Sequence, residues 1–104
     1  MDVEIRREDQ GSRGHYHLVV DGQEAGELDF REHEGRRVFV HTGVREAYEG
    51  MGLGSQLARR ALDDARAEGL QIIPQCPYVR AYLERHPQDQ DLIDQDLWAT
   101  WPIR

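Results

Sequence analysis

The chain contains no lysine and no asparagine, so all thirteen of its Lys-plus-Arg residues are arginine. It has one cysteine, Cys76, which excludes an intramolecular disulfide and a multi-thiolate zinc site. A reducing, cytoplasmic setting is the simplest expectation for such a chain. No apolar run approaches the roughly 18 residues that a membrane helix needs, so no membrane partner is expected. The start Met1-Asp2-Val3-Glu4-Ile5 has no basic region followed by an apolar stretch, and no signal peptide is expected from it. Basic charge is also in deficit, with a formal net charge of −7. That argues against non-specific nucleic-acid binding, which depends on clustered cations. The acidic balance suits a cationic substrate such as an amine, and solubility alone accounts for it equally well. His15, His17 and His33 have no ligand-like spacing, so no metal is expected.

What is present fits one domain spanning residues 1–104 of the 104-residue chain, with a core over about 3–94. Val3 to Arg7 alternates apolar and polar residues and reads as a strand. His15–Val20, Ala25–Phe30 and Arg37–His41 read as three more, separated by turns at Gly11–Gly14, Asp21-Gly22 and Glu34-Gly35. The pattern then changes period. Leu57, Ala58, Ala61, Leu62 and Ala65 recur at helical spacing, and Gly69 followed by Leu70 ends that helix. Gln71–Gln75 reads as a short buried strand that Pro74 stops. Pro77 opens a second helix that runs to about Arg85 and buries Val79, Tyr82 and Leu83. His86-Pro87 stops it, and Gln88–Asp94 adds a short helical turn or two. Four antiparallel strands, then helix, strand and helix make an α+β architecture with one crossover to a fifth strand.

Gly50, Gly52 and Gly54 fall between the fourth strand and the first helix. Alternating glycines let backbone approach a ligand without Cβ interference. The helix that begins near Gly54 aims its positive end at the same place, and the Ser55 hydroxyl stands in its first turn. Such a turn suits a diphosphate. It serves equally as a glycine-rich connector without a ligand. It is not the dinucleotide fingerprint, because the third spacing differs and the preceding sheet is antiparallel.

Four stretches in order, His41-Thr42-Gly43-Val44, Tyr48–Gly54, Ile72–Val79 and Arg85-His86-Pro87, resemble the small GCN5-related (GNAT) N-acetyltransferases. The resemblance covers nearly the whole chain. It implies the GNAT fold, a mixed, splayed sheet with acetyl-CoA wedged between strands four and five, and transfer of an acetyl group to an amine acceptor. It implies cofactor contacts from Val44 on strand four and from Glu49, Gly50, Met51, Gly52, Leu53, Gly54 and Ser55 in the turn. Relatives carry Arg or Gln where this chain has Glu49. A carboxylate there faces a diphosphate. Like charges ~4 Å apart repel by about 4 kcal/mol at an effective dielectric constant of ~20, less where solvent screens them. Either Glu49 turns outward or it pairs with Arg45.

Acetyl transfer from a thioester needs a deprotonated amine, a stabilised carbonyl oxygen and a protonated leaving thiolate. By the same resemblance, Tyr82 is a candidate general acid, with a place in the core as the other reading. Cys76, between a strand end and a helix start where a thiol ionises more readily, is either a nucleophile or a wall of the acetyl pocket. His41, at the end of strand four, is either a proton acceptor or a partly buried strand residue. The chain is expected to act as a monomer or weak homodimer. A non-catalytic CoA-binding or protein-interaction module on the same core is the rival reading. Trp98 and Trp101 either close the core or meet a partner.

Overall fold

Asp21 and Gly22 both take positive φ, 48° and 81°, as the two-residue hairpin turn requires. Glu34 and Gly35 repeat the geometry at 48° and 80°. These turns fold the first 44 residues of the computed structural model, which describes residues 1–101, into four antiparallel strands. The strands are β1 (Val3–Gln10), β2 (Arg13–Val20), β3 (Gln23–His33) and β4 (Arg36–Val44). They run past the limits read from apolar alternation, because cross-strand pairing continues through the polar residues up to each turn. Helix α1 (Leu53–Ala67) crosses over to β5 (Gln71–Pro74), which pairs with β4 in parallel. Helix α2 (Pro77–Arg85), a 3-10 segment (Pro87–Leu92) and the short α3 (Gln95–Ala99) follow. The sheet order is β1-β2-β3-β4-β5.

One face of the sheet is covered by α1 and α2. Leu57, Ala58, Ala61, Leu62 and Ala65 of α1 and Val79, Tyr82 and Leu83 of α2 pack on Tyr16, Leu18, Leu28, Phe30, Phe39 and Ile72. The other face is largely polar, apart from Val19 of β2, until β4 and β5. There Trp101, 5% exposed, packs with Val38 and Ile73, joined by Val40, Leu97 and Trp98. Trp101 therefore closes a second small core.

Two irregularities position the site. β5 pairs with β4 only from Arg36 to Phe39. Beyond that point β4 runs on to Val44 while the chain after Pro74 turns away, held at the fork by the Cys76 N–H donating to the Phe39 carbonyl at 2.8 Å. A bulge also interrupts the β3–β4 register between Asp29 and Phe30. An extra residue breaks the two-residue alternation, so the inward phase of Phe39 passes to Thr42 and Val44.

The sheet and α1 are also tied by charge. Arg37 is buried, hydrogen-bonded to Glu32 and Glu68 and seated over the Phe30 ring at 4.6 Å. Arg7 first and Arg37 second hold the Glu68 carboxyl at about 2, below its ordinary 4.5. A carboxyl whose folded value is depressed stabilises the fold above the unfolded value and loses that contribution as pH falls toward the folded one. The melting temperature should therefore drop between pH 4.5 and about 2. Thermal melts of Glu68→Gln across this range should show a shallower fall. The side chain is 39% exposed, so added salt should weaken the effect.

Candidate functional site

Gly52, at φ 74°, is the N-cap of α1, and Gly50 stands at 79° just before it. L-residues with a Cβ rarely adopt this conformation, so the turn depends on glycine at both places. The first amides of α1 have no acceptor within the helix and point out of its N-terminus together with the positive end of its dipole. Gly54 serves a different need. A Cβ there would lie 2.5 Å from the Tyr78 hydroxyl, so its absence lets the first turn of α2 approach the first turn of α1.

Between these elements lies a cavity of about 380 Å³. Thr42 and Val44 of β4 form one wall, and Glu49, Gly50 and Gly52 form the turn side. Leu53 and Gly54 begin α1, and Tyr48 and Tyr78 complete the lining. The β4 wall is the stretch that has left β5. A strand edge without a neighbour offers unpaired N–H and C=O groups, here beside the helix N-terminus.

Of the residues expected from sequence to hold a cofactor, the structure brings Val44, Glu49, Gly50, Gly52, Leu53 and Gly54 to this cavity. Met51 faces solvent, 51% exposed. Ser55 turns to a shallow depression beside Ile5 and Arg59, because each residue along a helix rotates about 100° from the last. Glu49 is exposed at the rim, and no ion pair with Arg45 forms among the described residues.

The three candidate catalytic residues are dispersed. Cys76 is 2% exposed, and its thiol donates to the Thr42 hydroxyl at 3.4 Å, just behind the cavity wall. Tyr82 is buried one helical turn beyond Tyr78. Its hydroxyl accepts from Arg59 at 3.3 Å and its ring stacks on His86 with centroids 4.0 Å apart. Arg59 also holds Asp89, keeping that carboxyl below its ordinary range. Tyr82 thus faces a structural ion cluster and not the cavity. His41 lies across the sheet from Thr42, with Nε2 3.8 Å from Glu27 on the outer face. The bulge is the reason, since Val40 and His41 follow one another on that side. Sequence reasoning passed over Thr42, Tyr48 and Tyr78. Tyr78 was accessible by its place one turn before Tyr82, while Thr42 required knowing the bulge. Among the described residues no group of three or more His, Cys, Asp or Glu side chains is placed to hold a metal ion, and no helix is long and apolar enough to cross a membrane.

Residues 15–92 match the family model described as GCN5-related N-acetyl-transferase. The mouse (Mus musculus) Protein NATD1 is 31% identical over 90 residues, covering 85% of this chain and 82% of the relative. The human (Homo sapiens) Protein NATD1 is 31% identical, with 85% and 80% covered. Among solved structures, a solution structure of a GCN5-like protein from Staphylococcus aureus superposes with a TM-score of 0.65 at 24% identity, covering 86% of each chain; at that identity it speaks to the fold alone. A crystal structure of an acyl-CoA N-acyltransferase from Pseudomonas aeruginosa gives 0.58 at 30% identity over 75% of this chain and 57% of that one.

Proposed function

This chain belongs to the GCN5-related N-acetyltransferase family, and from that premise we propose that it moves an acetyl group from acetyl-CoA to an amine. One observation carries the reading. The fork between β4 and β5 opens on the same cavity as the free amides of the glycine turn and α1. That juxtaposition suits a long ligand with an anionic middle and an amide-bearing arm. The backbone N–H groups around Gly50, Gly52 and Leu53 hold the diphosphate, and the open edge of β4 near Val44 hydrogen-bonds the pantetheine arm. Bound acetyl-CoA would supply an activated thioester: its C–S bond would break as a neutral amine forms the C–N bond, and the proton shed by the nitrogen would end on the leaving sulfur, releasing CoA as the free thiol.

Cys76 acts in this reading as a wall and not as a nucleophile. Its thiol donates to Thr42, and no base among the described residues accepts its proton. Thr42, Tyr48 and Tyr78 bring hydroxyl groups to the cavity, and Tyr78, whose hydroxyl reaches Gly54, is better placed than the buried Tyr82 to protonate a leaving thiolate.

Calorimetric titration of acetyl-CoA into the protein tests the reading directly. Saturable binding followed by acetylation of an amine in a panel supports it, and absence of binding at high micromolar concentration would sink it. Binding without turnover would favour a CoA-binding module instead. The exposed Glu49 at the rim is the feature that leans that way. At ~4 Å in water, two like charges cost about 1 kcal/mol, so Glu49→Gln should tighten acetyl-CoA binding about fivefold at low salt. The gain should shrink toward none as ionic strength rises.

A further inference from the structure

The outer face of the sheet carries a second cavity, about 370 Å³, lined by Arg13, His15, Asp29, Phe30, Arg31 and Val40. Its floor is the β3–β4 bulge. Behind Arg31 stands Trp101, whose indole centroid lies 5.6 Å from the guanidinium carbon. The charges along this groove are segregated. Arg13 and Arg31 are direct cross-strand partners, and neither has a carboxylate partner among the described residues. Two like charges directly opposite on neighbouring strands destabilise a sheet. Many of the chain's other arginines, Arg7, Arg36, Arg37, Arg59 and Arg66 among them, pair with Asp or Glu; among the described residues Arg45, Arg80 and Arg85 do not, but none of these three stands opposite another arginine in the sheet.

The other end is acidic and holds two imidazoles. Asp29 accepts from the His15 Nδ1–H at 2.7 Å. Next along the strand, Glu27 and His41 stand over Gly43, where a Cβ would fall 2.5 Å from the Glu27 carboxylate and 3.1 Å from His41 Nε2. The absence of a side chain at Gly43 therefore lets Glu27 and His41 close over the outer side of β4, back to back with Thr42 and Val44 in the first cavity. From Arg31 to Asp29 is two strand residues, about 7 Å, the reach of a lysine side chain.

We propose that this groove is the acceptor pocket, and that it selects a small amine bearing a carboxylate at its far end. Arg13 and Arg31 hold the carboxylate, and the amine lies against Asp29, beside Val40 where β4 separates from β5. The assignment rests on the acetyl-transfer reading above and narrows its substrate class.

The test compares lysine and ornithine with cadaverine and putrescine, which keep the same amine and lack the carboxylate, on wild-type protein and on the double variant Arg13→Gln, Arg31→Gln. Wild type should favour the amino acids by about tenfold or more in kcat/KM, the scale of a charge-assisted contact. The double variant should lose that preference and keep its acetyl-CoA affinity. Its melting temperature should stay close to that of wild type, since relief of the like-charge pair offsets the lost contact of Arg31 with the Trp101 ring; a purely structural role would lower it markedly. In parallel, lysine added without acetyl-CoA should shift the NMR amide signals of Asp29, Arg31 and Val40. Diamines used as well as amino acids, a preference that survives the double substitution, or no lysine-induced shift in the groove each overturn the proposal. If acetyl-CoA fails to bind while lysine still shifts the groove, the transfer reading falls and the pocket stands. If acetyl-CoA binds and lysine leaves the groove unmoved, the pocket falls and the transfer reading stands.

Discussion

Gly54→Leu should abolish measurable acetyl-CoA binding while leaving the protein folded. Even the first carbon of a side chain at this position would come within 2.5 Å of the Tyr78 hydroxyl and 2.8 Å of its Cζ, and the remainder would enter the cavity that Thr42, Val44 and Gly52 enclose. Two responses are open to the structure. Tyr78 swings into the cavity, or α2 moves away from α1 and widens the fork. Either one removes the shape that a ligand would use. Overpacking of this kind costs about 1–3 kcal/mol, and with direct occlusion added the affinity should fall about a hundredfold or more. Stability is affected in the opposite sense by helix propensity, since glycine inside a helix is about 1 kcal/mol worse than alanine. The melting temperature should therefore move little. Calorimetry and a thermal melt on the same sample separate the two effects. Pairing Gly54→Ala with Tyr78→Ala supplies the control: the double variant should recover part of the lost binding, because the colliding ring is gone. Undiminished binding by Gly54→Leu would place the cofactor elsewhere.

Phe39→Ala should be the most damaging single truncation for stability. The ring is fully buried and sits in the cluster where the sheet meets α1 and α2. The backbone of the same residue accepts the Cys76 N–H at the fork. Removing a buried phenylalanine costs about 3–5 kcal/mol through lost transfer energy and the cavity left behind. A domain of this size has roughly 5–15 kcal/mol in total. Urea denaturation should show the midpoint lowered by a large fraction at an unchanged slope. Met51→Ala, a change at an exposed side chain, should stay within about 0.5 kcal/mol of wild type. A Phe39→Ala loss below about 1 kcal/mol would mean that the core relaxes around the gap, and the fork would then be less rigid than the Cys76 contact suggests.

The element order was legible in the sequence because each signal is local. Asp21-Gly22 and Glu34-Gly35 set their own backbone angles. Leu57, Ala58, Ala61, Leu62 and Ala65 announce a helix face by spacing alone, and Gly69 and Pro77 mark an end and a start. The shape of the turn Gly50-Met51-Gly52-Leu53-Gly54 also follows locally, from glycines that permit positive φ and from the helix they precede. Strand ends were less legible, since pairing with a neighbour carried β1, β3 and β4 through polar residues that apolar alternation cannot count.

Which side chains meet at the site is a different matter, and only the tertiary structure decided it. A bulge opposite Asp29 and Phe30 shifts the phase of β4, so Thr42 and Val44 face the cavity and His41 faces away. No residue of β4 signals that shift, because a register is a property of two strands together. Tyr78 and Tyr82 share a helix and a chemistry, yet the closeness of α1 at Gly54 brings one to the cavity and leaves the other in the core beside Arg59. Trp101 lies 26 residues from Gln75 in sequence and donates to its side chain at 3.0 Å, packed on Val38 and Ile73. The sequence alone determined the fold and the glycine turn at the start of α1. Packing between distant segments determined which hydroxyls, thiol and imidazoles stand around it.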